Sequence, residues 1–195
     1  MVDALSKQIL RAARPVFQPD GEEIQVLDVD TTTHLASSRQ VSARQVEIAA
    51  LESGISPLRY TRNFKTYTQS DQMTLLASCV AVIGLGGLGG AVTESLARVG
   101  VGRLTLVDGD RFCDHNLNRQ ALCTEADLGM PKAAVAARRT KAINAACEVT
   151  ARDTFLNADN AADFIKDAQV VIDCLDNIPS RFVLQSAAQQ SGIPL

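Results

Sequence analysis

The chain has 195 residues, 46% of them apolar and 21% charged, with a formal net charge of −3. That length suits one domain of ordinary size plus an appendage, and the apolar share suffices for a core. The mild acidity argues against a nucleic-acid or membrane partner, and an aromatic content of only 4% argues against a stacking platform for single strands.

In chain order, Val2, Leu5, Ile9, Ala13 and Val16 share one helical face, which predicts a short surface helix ending before Pro15. Pro19-Asp20-Gly21 reads as a turn, and Ile24–Val29 as a strand. The polar stretch Thr31–Gln40 is expected to be a loop, with His34 solvated in it. Ser42 and Gln45 form a capping-box pattern, opening a helix that stops at Gly54. Residues 1–57 are thus expected to form a small helical appendage, and residues 58–195 a nucleotide-binding domain. After Leu58–Phe64, a helix capped by Ser70 or Asp71 leads into the centre of the sequence.

Cys79-Val-Ala-Val-Ile83 is apolar, largely β-branched and cut off by glycine, as a buried parallel strand would be. Gly84, Gly86 and Gly89 fit G-x-G-x-x-G at a strand-to-helix turn, where backbone N–H groups approach a phosphate. Gln72–Thr93 carries no charge over 22 residues, but five glycines between 84 and 90 make a membrane span a poor reading. A second strand ends at Asp108, placed for a ribose hydroxyl. The polar stretch Asp110–Gln120 should lie at the carboxyl edge of the sheet. Pro131 starts a helix with Lys132 in its first turn. Glu148–Arg152 reads as a third strand, Asn160–Lys166 as a helix, and Gln169–Cys174 as a fourth strand ending at Asp176-Asn177. A last helix starts near Pro179, and another strand is expected to open at Gly192–Leu195, so the sequence is expected to be the N-terminal part of a longer protein. The expected fold is α/β, a Rossmann-like, doubly wound and mainly parallel sheet.

Glycine turn, Asp108 and Asp110, Arg119, Lys132 and Asp176-Asn177 would therefore meet at one edge. Two cations and several carboxylates around a phosphate turn describe a triphosphate and metal site, since Arg and Lys neutralise phosphate charge and a carboxylate holds Mg²⁺. A hydride-transfer site needs no such set, because helix backbone largely satisfies a dinucleotide's pyrophosphate.

The ordered motifs G-L-G-G-L-G, V-D-G-D, N-L-N-R-Q, G-M-P-K and D-C-L-D-N-I-P-S-R resemble the ThiF/MoeB/HesA family, bacterial relatives of the ubiquitin-activating enzymes, over roughly Leu58–Leu195. The resemblance implies an adenylyltransferase that uses Mg-ATP to activate the C-terminal carboxylate of a ubiquitin-like sulfur-carrier protein, as in thiamine or molybdopterin biosynthesis, and releases pyrophosphate. It implies Gly87 on ATP, Asp108 on the ribose, Asn116, Arg119 and Lys132 on the phosphates, and Asp176 on Mg²⁺ with Asn177 adjacent. It also implies a homodimer in which Arg62, within Arg59-Tyr-Thr-Arg62, reaches the neighbouring subunit's site. Asn63 departs mildly from the glutamine the family usually carries there. The family's catalytic cysteine loop and zinc-binding C-x-x-C pairs are not in this stretch, so the resemblance leaves thiol chemistry and zinc undecided here and allows zinc only in a further C-terminal part.

Five cysteines at 79, 113, 123, 147 and 174, with no C-x-x-C pair, suggest reduced thiols in a cytoplasmic protein. Cys79 and Cys174 sit in strand patterns and read as packing residues. Competing readings are an NAD-dependent oxidoreductase, favoured only by the glycine turn and Asp108, and a non-catalytic half of an activating-enzyme pair. Within adenylation, tRNA-borne threonylcarbamoyl is an alternative acceptor.

Overall fold

Strand β4 (Cys79–Ile83) is buried along its whole length, and the rest of its unit is laid around it. A computed structural model describes residues 4–18 and 20–195; of the expectations above, those on Val2 and Pro19 lie outside the described residues. Contacts divide the chain into a unit ending at Leu76 and a second, Ala77–Leu195.

In the second unit β4 pairs in parallel with β5 (Arg103–Val107) on one side and β7 (Val170–Asp173) on the other. Strand β6 (Glu148–Arg152) pairs in parallel with β5, giving the order β6-β5-β4-β7. The chain thus moves outward from β4 through β5 to β6, then crosses to β7. That reversal opens a crevice between the carboxyl ends of β4 and β7, the usual ligand position in open α/β sheets. Helices α5 (Gly87–Val99) and α6 (Lys132–Ile143) pack together, as do α7 (Ala161–Ile165) and α8 (Ile178–Ser191). Ala81 and Ile83, which share one face of β4 by strand alternation, join Phe164, Ile165 and Leu184 in one apolar cluster. The sheet is therefore covered by helices, and its β-branched runs follow from burial on both faces. Beyond α8, Val171 N–H donates to the Pro194 carbonyl at 2.9 Å, but no strand is formed over residues 192–195, where one was expected to open.

In the first unit, α1 (Ala4–Ala12) buries Ile9, and α3 (Ala43–Glu52) begins at the expected capping box of Ser42 and Gln45. Strands β1 (Arg14–Phe17), β2 (Glu23–Leu27) and β3 (Ser56–Pro57) form a small mixed sheet, so the unit is not purely helical. The break after Leu76 also differs from the expected boundary at 57, because residues 58–76 pack on α3 through the cluster of Leu51, Tyr60 and Leu76.

Several local expectations are corrected. Ala13 and Val16 lie beyond the end of α1 at Ala12, with Pro15 and Val16 in β1, and the strand expected over Ile24–Val29 stops at Leu27. Residues 31–40 are not a loop: α2 runs Val29–Arg39, with the Asp28 side chain accepting from Thr31 N–H at 2.9 Å. Its buried face is only Thr32, Leu35 and Ala36, too sparse for an apolar period to show. Helix α4 (Gln69–Ala77) is capped by Thr68, whose hydroxyl accepts from Asp71 N–H while the Asp71 carboxylate accepts from Thr68 N–H.

Candidate functional site

A cavity of about 340 Å³ opens at the carboxyl ends of the parallel strands. Its floor is the glycine turn. Gly84 has φ +91°, and a Cβ there would come within 2.6 Å of the Cys174 carbonyl oxygen, so only glycine lets the turn after β4 pass so close to the end of β7. A Cβ on Gly89 would overlap the Gly84 carbonyl oxygen, so Gly89 serves the packing of α5 on β4 and does not itself line the cavity. Gly84, Gly86 and Gly87 do line it. Gly86 is the N-cap of α5 and supplies no side-chain cap, which leaves the first-turn N–H groups and the positive end of the helix dipole for an anion.

Asp108 follows β5 and also lines the cavity. Its carboxylate accepts from Leu85 N–H and Asp110 N–H, each at 2.7 Å. It therefore ties the glycine turn to the end of the neighbouring strand, in addition to the ribose contact expected of it. Burial pushes this carboxyl above its ordinary range, opposed by those two N–H groups and by the Lys132 charge, while Asp110 adds to the rise. Lys132 is only 6% exposed; its Nζ sits 3.0 Å from Asp110 Oδ2, and its backbone N–H donates to the Asp110 carbonyl at 2.9 Å. Asp110 thus fixes both ends of Lys132 at the start of α6.

Arg119 lines the cavity, with its guanidinium donating to the His115 carbonyl at 2.7 Å and to Asn118 Oδ1 at 3.1 Å. Asn116 is placed differently from expectation. It is buried, lies outside the cavity wall, and its side-chain oxygen accepts from Cys113 N–H at 3.0 Å. Its role here is to shape the loop that carries Arg119.

At the end of β7, Asp176 is exposed in the cavity and makes no hydrogen bond or ion pair among the described residues. Asn177 lines the same wall and caps α8, accepting from Ser180 N–H at 3.0 Å. Asp173, a carboxylate inside an apolar strand, accepts from Leu175 N–H at 2.9 Å and lies 3.5 Å from Arg181 Nε, which in turn donates to the Leu175 carbonyl at 3.0 Å. These ties hold the turn that presents Asp176. Arg62 belongs to the first unit and is exposed.

Two cavity residues carried no role in the sequence. Gln120 is 6% exposed, and its Oε1 has no hydrogen-bond partner among the described residues; left so, it would cost about 1–3 kcal/mol, which a bound donor would relieve. Phe155, in the loop after β6, lines the cavity while 64% exposed, its ring lying against Gly109. The Cys174 thiol in the wall is pushed up to about 11, first by burial and then by Asp173, which leaves it a packing group and not a nucleophile. Among the described residues no three His, Cys, Asp or Glu side chains are grouped to hold a metal ion, and no helix is long and apolar enough to cross a membrane.

The ThiF family matches residues 60–195. The chain belongs to the ThiF family. It is 39% identical over 140 residues to the sulfur carrier protein ThiS adenylyltransferase of Bacillus subtilis, covering 70% of this chain and 42% of the relative. It is 40% identical over 124 residues to the sulfur carrier protein adenylyltransferase of Thermus thermophilus, covering 64% and 46%. Among solved structures, the tRNA N6-threonylcarbamoyladenosine dehydratase of Escherichia coli in complex with ATP superposes with a TM-score of 0.68 at 33% identity, covering 70% of this chain and 57% of that one. The chain thus spans about half the length of these ThiF-family relatives.

Proposed function

We propose that this ThiF-family protein is an ATP-dependent adenylyltransferase that activates the C-terminal carboxylate of a ubiquitin-like sulfur-carrier protein. One observation carries the reading: an α-helix N-terminus, two cations and one unpaired carboxylate face a single cavity at the strand-order reversal. A dinucleotide's pyrophosphate needs only the first of these. A triphosphate about to lose pyrophosphate needs all of them, because negative charge develops on the α-phosphate and on the leaving group. The sulfur-carrier adenylyltransferases among the relatives support the same acceptor class.

In this reading the adenine lies against Phe155, and the ribose hydroxyls meet Asp108. A carboxylate oxygen of the carrier attacks the α-phosphorus, the bond from that phosphorus to the bridging oxygen breaks, and an acyl-adenylate and pyrophosphate result. Lys132 and Arg119 neutralise the developing charge. The donor set suits Mg²⁺, which takes one or two carboxylates plus phosphate oxygens, and Asp176 is the unpaired carboxylate in the cavity. When bound there, the ion would offset phosphate charge and fix the triphosphate's shape. We further propose a homodimer in which Arg62 of each copy completes the phosphate site of the other.

The test is ATP–pyrophosphate exchange by the full-length protein with a sulfur-carrier protein ending in glycine. Asp176→Ala should lower exchange by about 10²–10³-fold, by analogy with the loss of one preorganised transition-state contact. Activity within threefold of wild type would overturn the assignment. Because the ATP-bound structural neighbour is a tRNA-modifying enzyme, threonylcarbamoylated tRNA is the second acceptor to supply in the same assay.

A further inference from the structure

In the first unit, residues 58–65 form a 3₁₀ helix held from both sides. Tyr60 is fully buried, and its hydroxyl donates to Glu47 Oε2 at 3.0 Å. Glu47, on α3, is itself 1% exposed, and its other carboxylate oxygen lies 3.3 Å from Arg59 Nε. On the far side, Asn63 Nδ2 donates to Gln72 Oε1 at 3.2 Å, and Gln72, on α4, is fully buried. Leu51, Leu76 and the partly buried Phe64 and Met73 close the apolar floor beneath Tyr60. Between these anchors stands Arg62, exposed, its side chain in no ion pair or hydrogen bond among the described residues.

This is an unusual use of a buried carboxylate. A buried acid tied to an arginine is often no more stabilising than an apolar residue of the same size, so its presence here is better explained by what it fixes. Residues 59, 60 and 63 are each tied to a helix, and residue 62, which they flank, is left without a partner. A flexible arginine would have to be ordered at the transition state, whereas one on a clamped segment has already lost that freedom.

We propose that Glu47 is a positioning residue for Arg62: through Tyr60 and Arg59 it clamps the 3₁₀ segment so that Arg62 is presented, preorganised, to the phosphate site of a second copy of this chain. The proposal rests on the reading of Arg62 as acting in trans, and the experiment separates the two.

The test sorts variants of the full-length protein by subunit mixing, using ATP–pyrophosphate exchange with a sulfur-carrier protein ending in glycine. Glu47→Ala should lose about 10²-fold in kcat, the size of loss a misplaced catalytic group produces, with KM for ATP unchanged within twofold. Mixed with Asp176→Ala under confirmed subunit exchange, it should recover up to about half the activity per mixed dimer, because one site then combines an intact cavity with an intact Arg62 segment. Mixed with Arg62→Ala it should recover none. Glu47→Gln, which keeps an acceptor for the Tyr60 hydroxyl, should be intermediate. If Glu47→Ala does not fold, Glu47→Gln and Tyr60→Phe carry the same mixing test. A variant within threefold of wild type overturns the proposal, and so does a variant that fails to recover with Asp176→Ala when Arg62→Ala does, since its fault then lies in its own subunit's fold. If Arg62→Ala and Asp176→Ala do not complement each other, the trans reading of Arg62 fails first and takes this proposal with it.

Discussion

Lys132→Ala separates the structural work of the site from its chemistry. The side chain is 8% exposed and its partner Asp110 is 56% exposed, so removing the lysine returns the Asp110 carboxylate to water, while the more buried Asp108 loses a cation that opposes the rise of its carboxyl. A pair with one partner so exposed contributes only about 0–1 kcal/mol. Losing the packed lysine stem adds to this, so stability should fall by about 1–2 kcal/mol. Catalysis should suffer more. A fixed cation beside developing phosphate charge is worth about 3–4 kcal/mol, or about 10²–10³-fold in kcat, with a smaller change in KM for ATP. Pyrophosphate exchange at saturating ATP measures the first effect and calorimetry the second. Asp110→Asn is the control: it releases Lys132 without removing it and should lose less than about tenfold if the cation is what matters. Lys132→Ala within threefold of wild type, or damage to Asp110→Asn as great as that to Lys132→Ala, would refute the charge role and leave only the ion pair.

Gly89→Ala should lower thermal stability by several degrees and weaken ATP binding, because its Cβ overlaps backbone at Gly84 and the strand-to-helix turn must open; an unchanged melting temperature would refute the packing role. Phe155→Ala should raise KM for ATP by roughly tenfold, since stacking of a base on an aromatic ring is worth about 1–3 kcal/mol, and kcat should barely change. Asp127 predicts a pH effect on stability. Burial raises its carboxyl, but hydrogen bonds from Thr124 and Arg138 more than offset this and hold it below its ordinary value of 3.8. Its folded value is depressed, so its contribution is present above the unfolded value and lost as pH falls through the folded one. Asp127→Asn should therefore be less stable than wild type at pH 7, and denaturant titrations should show the gap closing below about pH 4.

The fold of the second unit was legible because several local signals agreed. The apolar β-branched run at Cys79–Ile83, its glycine stop, and Pro131 ahead of Lys132 each specify one backbone outcome, and the parallel sheet is the arrangement that satisfies them together. Helix α2 was illegible for the opposite reason. Its side chains are mostly polar, and the Asp28 cap that starts it gives no apolar period to follow. Within the site, strand ends marked Asp108 and Asp176, yet sequence could not show that Asp108 also braces the glycine turn or that Asn116 is buried outside the cavity wall. Gln120 and Phe155 were missed because their meaning is convergence: one lies after the second strand of the sheet and the other after the third, and only the sheet order brings both to the cavity.

The groups proposed for the phosphate site fall into two kinds. Lys132, Arg119 and Asp108 are each tied to neighbours by hydrogen bonds, so their positions are set before any nucleotide arrives. Asp176 and Arg62 are exposed and unpaired among the described residues. An exposed charge without a protein partner costs the fold little, because water solvates it, and it gains most when a ligand replaces that water with a fixed opposite charge. The tied groups shape a pocket that needs little reorganisation, which is where electrostatic stabilisation of a transition state is strongest. The untied ones depend on how their supports hold them, Asp173 and Arg181 beneath Asp176, and Glu47 and Tyr60 beside Arg62. Substitutions in these supports should therefore act on rate more than on nucleotide affinity.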